Sequence, residues 1–288
     1  MHYTADWTEL AAGVRKYVHR WEPDDGTEPA ALICIVHGLG EHGGRYHRLA
    51  AELVAAGFVV LAFDQTGHGR CSAPRGSIHS YSALLSDIGA MLGWTTRTYA
   101  ELPRVLLGHS MGGNLVLNYV MRNADSKTAH LPQAVISSSP MIRSSREPGW
   151  FFERIARIGL RIAPNLCLKS HVVAERLMSD RNEQHDFDED ELFHKCLSLR
   201  LGAGLLDSGR WLLKNASLLR VPTLLTHGTN DYLTSPVAST EFANLTGDIC
   251  QLCLLEGHLH DTFRDVGREE VIDRFIQFSR SFVRQTVK

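Results

Sequence analysis

The chain has 288 residues, 44% of them apolar and 22% charged, a composition that excludes disordered and fibrous classes. Its 30 Lys and Arg against 32 Asp and Glu leave a formal net charge of -2, without the basic surplus that a nucleic-acid binder presents on one face. No run approaches the roughly 18 consecutive apolar residues of a membrane-spanning helix. The start, Met1-His2-Tyr3-Thr4-Ala5-Asp6, lacks the basic and apolar regions of a signal peptide, so the expected location is cytoplasmic.

In chain order, residues 14–21 alternate weakly and read as an early, antiparallel strand, followed by a turn at Asp24-Asp25-Gly26. Residues 31–36 form a continuous apolar strand that ends at His37-Gly38. A helical period over 46–56 stops at Gly57, and 58–63 is the next strand, ending at Asp64. Residues 81–99 read as a long helix. The strand 104–107 runs into Gly108-His109-Ser110-Met111-Gly112-Gly113, and 114–121 reads as a helix. The strand 134–138 ends in Ser139-Pro140. From 141 to 215 the strand rhythm stops and helices and loops take over. It resumes at 222–226 and 249–255, and a helix over 266–284 closes the chain. Apolar strands alternating with helices predict an α/β fold, a mostly parallel sheet flanked by helices. The core comprises 1–140 and 216–288, with 141–215 inserted as a helical cap.

The six cysteines are scattered, unlike those of a disulfide scaffold. Cys250 and Cys253 fall in one strand and point to opposite faces, so they cannot share a metal. No acidic metal cluster and no dinucleotide-binding glycine motif is present, so neither metal nor cofactor is expected.

Gly108-x-Ser110-x-Gly112 sits between a predicted strand and a predicted helix, which makes Ser110 a candidate nucleophile. The turn must be sharp, and glycines two residues to either side relieve crowding around the serine. A serine hydroxyl needs a base oriented by a third group. Both occur at later strand ends, as Asp231 after 222–226 and His260 after 249–255, with His258 as the competing base. Asp248 precedes its strand and lies at the wrong sheet edge, while Asp64 precedes the serine and reads as a loop former. His37, His68, His109 and His227 read as loop-shaping hydrogen-bonding groups. The backbone N–H of Met111, and that of Leu39 in the glycine-flanked loop after the first parallel strand, are the candidate oxyanion donors.

These residues together resemble the monoacylglycerol lipase and lysophospholipase branch of the α/β-hydrolases. The resemblance lies in His37-Gly38-Leu39-Gly40-Glu41-His42-Gly43-Gly44-Arg45-Tyr46, Asp64-Gln65-Thr66-Gly67-His68-Gly69-Arg70, the GHSMGG run at 108–113, Gly228-Thr229-Asn230-Asp231 and Glu256-Gly257-x-x-His260. It implies an α/β-hydrolase fold, a Ser110-Asp231-His260 triad with His260 rather than His258 as base, and hydrolysis of monoacyl lipid esters, with a lysophospholipase or a broad-specificity carboxylesterase as the alternative. Ala163-Pro164-Asn165-Leu166, Ser179-Asp180-Arg181-Asn182 and Asp190-Glu191-Leu192 resemble segments of the family's cap. The chain departs from the pattern at Cys71-Ser72 and at Glu191, where many members have proline.

Within 148–164, Phe151, Ile155, Ile158 and Ile162 recur at helical spacing, with Arg154, Arg157 and Arg161 on another face. Such a helix either packs its apolar face on the core or lies on a membrane or micelle surface. As the roof of an acyl tunnel it makes Phe151, Phe152, Ile155 and Ile158 candidate substrate contacts. Residues 186–191 read as a solvated acidic stretch. The competing readings are acyl transfer, with His260 and Asp265 matching H-x4-D, a peptidase or thioesterase, and a ligand receptor on the same fold. In the transfer reading Asp265 is set aside as a group that caps or solvates the last helix.

Overall fold

The apolar runs in the middle of the chain become a row of buried strands. The computed structural model describes every residue except 25, 72, 148, 171 and 284–288, and only the backbone of 152 and 283. The chain opens with β1 (His2–Ala11) and β2 (Val14–Glu22), then β3 (Ala31–Val36), α1 (His47–Ala55), β4 (Phe58–Phe63), α2 (Tyr81–Thr98), β5 (Arg104–His109), α3 (Met111–Arg122) and β6 (Ala134–Ser138). The inserted segment carries α4 (Trp150–Ile162), β7 (Cys167–Lys169), α5 (Arg181–Asp188), β8 (Cys196–Ser198) and α6 (Leu199–Lys214). The chain closes with β9 (Thr223–Gly228), α7 (Pro236–Thr246), β10 (Cys250–Leu255) and α8 (Arg268–Val283).

Eight strands form one sheet in the order β1-β2-β4-β3-β5-β6-β9-β10. Strands from β4 to β10 run parallel, and β1 and β2 join antiparallel at one edge. Parallel strands covered on both faces must be apolar on both sides, and β3, β4, β6 and β9 are buried at every residue. One face of the sheet packs on α2, α3, α6 and α7 through Leu84, Leu115, Leu201 and Phe242. The other packs on α1 and α8 through Leu53 and Phe275. Cys250 joins the first cluster and Cys253 packs against the second, on opposite faces as the strand period dictates.

Two features depart from the sequence expectation, whereas α7 fills the β9–β10 crossover with the helix that the Asp231–His260 spacing leaves room for. β1 is a mostly exposed edge strand whose polar residues break the alternation. The inserted segment is not purely helical, because β7 and β8 pair antiparallel and Cys167 is bonded to Cys196, with Cα atoms 5.4 Å apart. β6 and β9, between which the insertion leaves and returns, are adjacent in the sheet.

Candidate active site

Ser110 links β5 directly to α3 and holds φ 55° and ψ -114°, a conformation that non-glycine residues rarely adopt. The surroundings enforce it. A Cβ on Gly108 would lie 2.3 Å from Gly112 O, and one on Gly112 would lie 1.9 Å from Val36 O. Ser110 N donates to Ser138 O at 2.9 Å, and Ser110 O accepts from Asn114 N and Met141 N, each at 3.0 Å. Backbone strain persists where surrounding contacts over-determine it, and such positions cluster at active sites.

Asp231 and His260 meet as the spacing of their loops anticipates. His260 Nδ1 lies 2.6 Å from Asp231 Oδ2, and both side chains are buried. Burial opposes charge on the imidazole, but the Asp231 carboxylate and its hydrogen bond outweigh it. Asp261 and Glu41 add to the effect, and the His260 pKa lies above the ordinary histidine value. Burial likewise opposes ionisation of Asp231, yet His260 and His227 hold its carboxyl far below the usual range. His258 takes no part in this pair; its ring stands beside Gly267. Asp64 accepts from Gly43 N at 2.8 Å and Arg70 N at 2.7 Å, shaping loops as expected. So do His37, 2.8 Å from Gly38 O, and His68, 3.1 Å from Thr66 O. His227 does more than shape a loop, since its Nε2 lies 3.0 Å from Asp231 Oδ2.

Leu39 and Met111 line the same cavity as Ser110 and His260. Among the described residues neither of their backbone N–H groups donates to another protein group. Beneath them runs a buried ionic network that the sequence motifs do not reveal. Glu41 accepts from Gly38 N and from the Tyr46 hydroxyl, each at 2.8 Å. Arg264 bridges Glu41 at 2.7 Å and Asp261 at 2.9 Å, and Asp261 reaches His109 Nε2 at 2.9 Å. The network joins the Gly38–Glu41 loop to the His260 loop. Among the described residues two side-chain groups bring possible metal-ligand atoms within 4.8 Å of one another, His19-His42-Asp64 and His109-His260-Asp261. In both, these atoms pair with one another, His19 with Asp64 at 3.3 Å and His109 with Asp261 at 2.9 Å.

The cavity, about 260 Å³, is lined mainly by apolar side chains, Met141, Val172, Leu177, Phe193, Leu197 and Leu205 among them. A second cavity of about 230 Å³ shares Met141, Ser144, Leu197 and Leu205 with it and extends beneath α4. Phe151, Ile155 and Ile158 line neither; they face solvent with 63%, 52% and 61% of their surface exposed. The side chain of Phe152 lies outside the described residues. α4 instead turns Glu153 and Arg157 toward α6, where Arg210 and Asp207 pair with them at 2.5 and 2.7 Å. Glu153 and Arg157 thus face α6, while Phe151, Ile155 and Ile158 face outward.

Two acidic groups are also placed differently from expectation. Asp190, in the stretch read as solvated, is half-buried and takes Arg45 Nη1 at 2.9 Å and His42 Nε2 at 3.1 Å. Asp265, read as a helix cap or a solvated acid, is buried. It accepts from Ser179 N at 2.7 Å, from the Ser179 hydroxyl and from Leu259 N at 2.8 Å. It therefore ties the inserted segment to the His260 loop.

The fold is that of the α/β-hydrolases. The crystal structure of the monoacylglycerol lipase of Paleococcus ferrophilus matches at a TM-score of 0.82 and 28% identity, covering 93% of this chain and 100% of that one. Residues 27–267 match the Hydrolase_4 family, described as serine aminopeptidase, S33, and the chain belongs to that family. It is 28% identical over 264 residues to the monoacylglycerol lipase of Mycolicibacterium smegmatis (91% of each chain). It is 31% identical over 225 residues to human monoglyceride lipase (77% of this chain, 72% of that one). An uncharacterized abhydrolase domain-containing protein of Dictyostelium discoideum is 28% identical over 260 residues, and the chain spans only 27% of its length. These likenesses place it in the monoacylglycerol lipase branch, and it is a lipid ester hydrolase.

Proposed function

We propose that this enzyme cleaves monoacylglycerol to free fatty acid and glycerol through a Ser110-Asp231-His260 triad. Support comes from one arrangement: the strained Ser110 and the Asp231-bonded His260 border a single apolar cavity. Ser110 Oγ attacks the ester carbonyl carbon while His260 Nε2 takes its proton. The N–H groups of Leu39 and Met111 hold the developing oxyanion. His260 then protonates the departing glycerol oxygen, and water, deprotonated by His260, releases the acid from the acyl-enzyme.

Residues 141–215 act as the cap over the core, and the two adjoining cavities, which share four lining residues, take the acyl chain. The charged side chains lining the cavity at Ser110 are Glu41 and Asp261, and no Lys or Arg lines it among the described residues. That favours a neutral glycerol head group over a phosphodiester. The outward apolar face of α4, with Trp150, Phe151, Ile155, Ile158 and Ile162 exposed beside Arg154 and Arg161, suits shallow insertion at a lipid surface. Among the described residues no helix is long and apolar enough to cross a membrane.

The test is release of glycerol against glycerophosphocholine from monoacyl substrates of one chain length. Glycerol release should dominate, and Ser110→Ala should lower it by about 10³-fold or more. Dominant glycerophosphocholine release would make the enzyme a lysophospholipase. Activity that survives Ser110→Ala would remove the triad.

A further inference from the structure

Asp231 serves two histidines. Its Oδ2 lies 2.6 Å from His260 Nδ1, 3.0 Å from His227 Nε2 and 2.7 Å from the Thr234 hydroxyl. Its Oδ1 accepts from Leu233 N at 2.7 Å and Thr234 N at 3.0 Å. His227 is fully buried near the end of β9, four residues before Asp231. Its Nδ1 lies 2.7 Å from the hydroxyl of Ser239 in α7. The carboxylate is acceptor only, so the His227 Nε2 carries its proton toward Asp231, and the Ser239 hydroxyl supports that donation from the far side of the ring.

Each donor that stays on a carboxylate oxygen disperses its charge and weakens its hold on the others. The imidazolium that forms at His260 during acyl transfer is stabilised by that same oxygen. We propose that His227 is a positioning residue of the triad: it fixes the orientation of the Asp231 carboxylate and moderates the proton affinity that Asp231 confers on His260. The proposal rests on the triad reading above. With His227 in place, His260 is a weaker base than Asp231 alone would make it. The shared oxygen also keeps Asp231 from turning away from His260.

Among the described residues the other titratable groups facing His260 are Asp261 on its own segment, His109 at the end of β5 and Glu41 after β3, with Arg264 bridging Glu41 and Asp261 behind them. All are retained in the variants below, so the comparison isolates His227.

The experiment is kcat/KM against pH for a soluble short-chain nitrophenyl ester, with wild type, His227→Phe, His227→Gln, Ser239→Ala and Ser110→Ala. Phenylalanine fills the space without a donor. The acid limb should then move to higher pH by about 0.5 unit, with a lower plateau. Glutamine keeps an N–H near the Nε2 position and should restore the wild-type limb. Ser239→Ala weakens the same donation and should shift the limb upward by less. A folded His227→Phe enzyme with an unmoved or lowered limb overturns the proposal, as does a glutamine variant that behaves like phenylalanine. If His227→Phe does not fold, an unmoved limb in Ser239→Ala overturns it. Full turnover by Ser110→Ala would instead remove the triad reading, and the proposal with it.

Discussion

Gly112 has no room for even a methyl group, because a Cβ there would meet the β3 carbonyl of Val36 at 1.9 Å. Backbone on both sides cannot yield cheaply, so Gly112→Ala should destabilise the fold by about 3 kcal/mol or more, read by chemical denaturation. In the proposed triad His260 works as a base only when neutral, and its pKa stands above the ordinary value. Activity should therefore fall as pH drops, with a midpoint above about 6.5. A midpoint at or below that value in the pH–rate profile would contradict the Asp231 pairing. At this scale the sequence was informative wherever chemistry is local. Ser110, Asp231 and His260 each stand at the end of an apolar run, and strand ends on one edge of a parallel sheet converge. The ionic network was not legible. Arg264 and Glu41 are 223 residues apart in the chain, and no local pattern pairs them.

Whole elements were legible where burial on both faces leaves a continuous apolar run, as in β3, β4 and β6. They were not where pairing is marginal or short. β7 and β8 have three residues each and owe their register to tertiary neighbours rather than to any period. The attachment of the inserted segment was equally hidden, because single carboxylates carry it. Asp265→Ala would leave the Ser179 N–H, the Ser179 hydroxyl and the Leu259 N–H without their acceptor. A cost of about 2–4 kcal/mol is expected in thermal or chemical unfolding. A loss of kcat/KM should accompany it, since Leu259 adjoins His260.

For the molecule as a whole, the near-neutral charge of -2 offers no bulk field to attract a lipid surface, so the proposed adsorption rests on the apolar face of α4. Replacing Ile155 and Ile158 together by glutamate should lower the vesicle-bound fraction about tenfold or more in a sedimentation assay, while turnover of a soluble short-chain ester stays unchanged. Sequence periodicity identified this helix but not which side it turns outward, because that depends on how it seats against α6, where Glu153 and Arg157 meet Arg210 and Asp207. The adjacency of β6 and β9 limits what can be exchanged. Parallel neighbours cannot be joined by a tight turn and need a crossover of about a dozen residues or more, usually a helix. α6 fills that place, with Leu201, Leu205 and Leu212 sunk in the same cluster as α3. On the proposed cap reading the insertion is therefore two things spliced end to end, a replaceable roof over roughly 149–197 and an architectural strut that follows it. Chimaeras that swap the roof should fold and change their choice of ester. Those that also cut out the strut should lose the sheet.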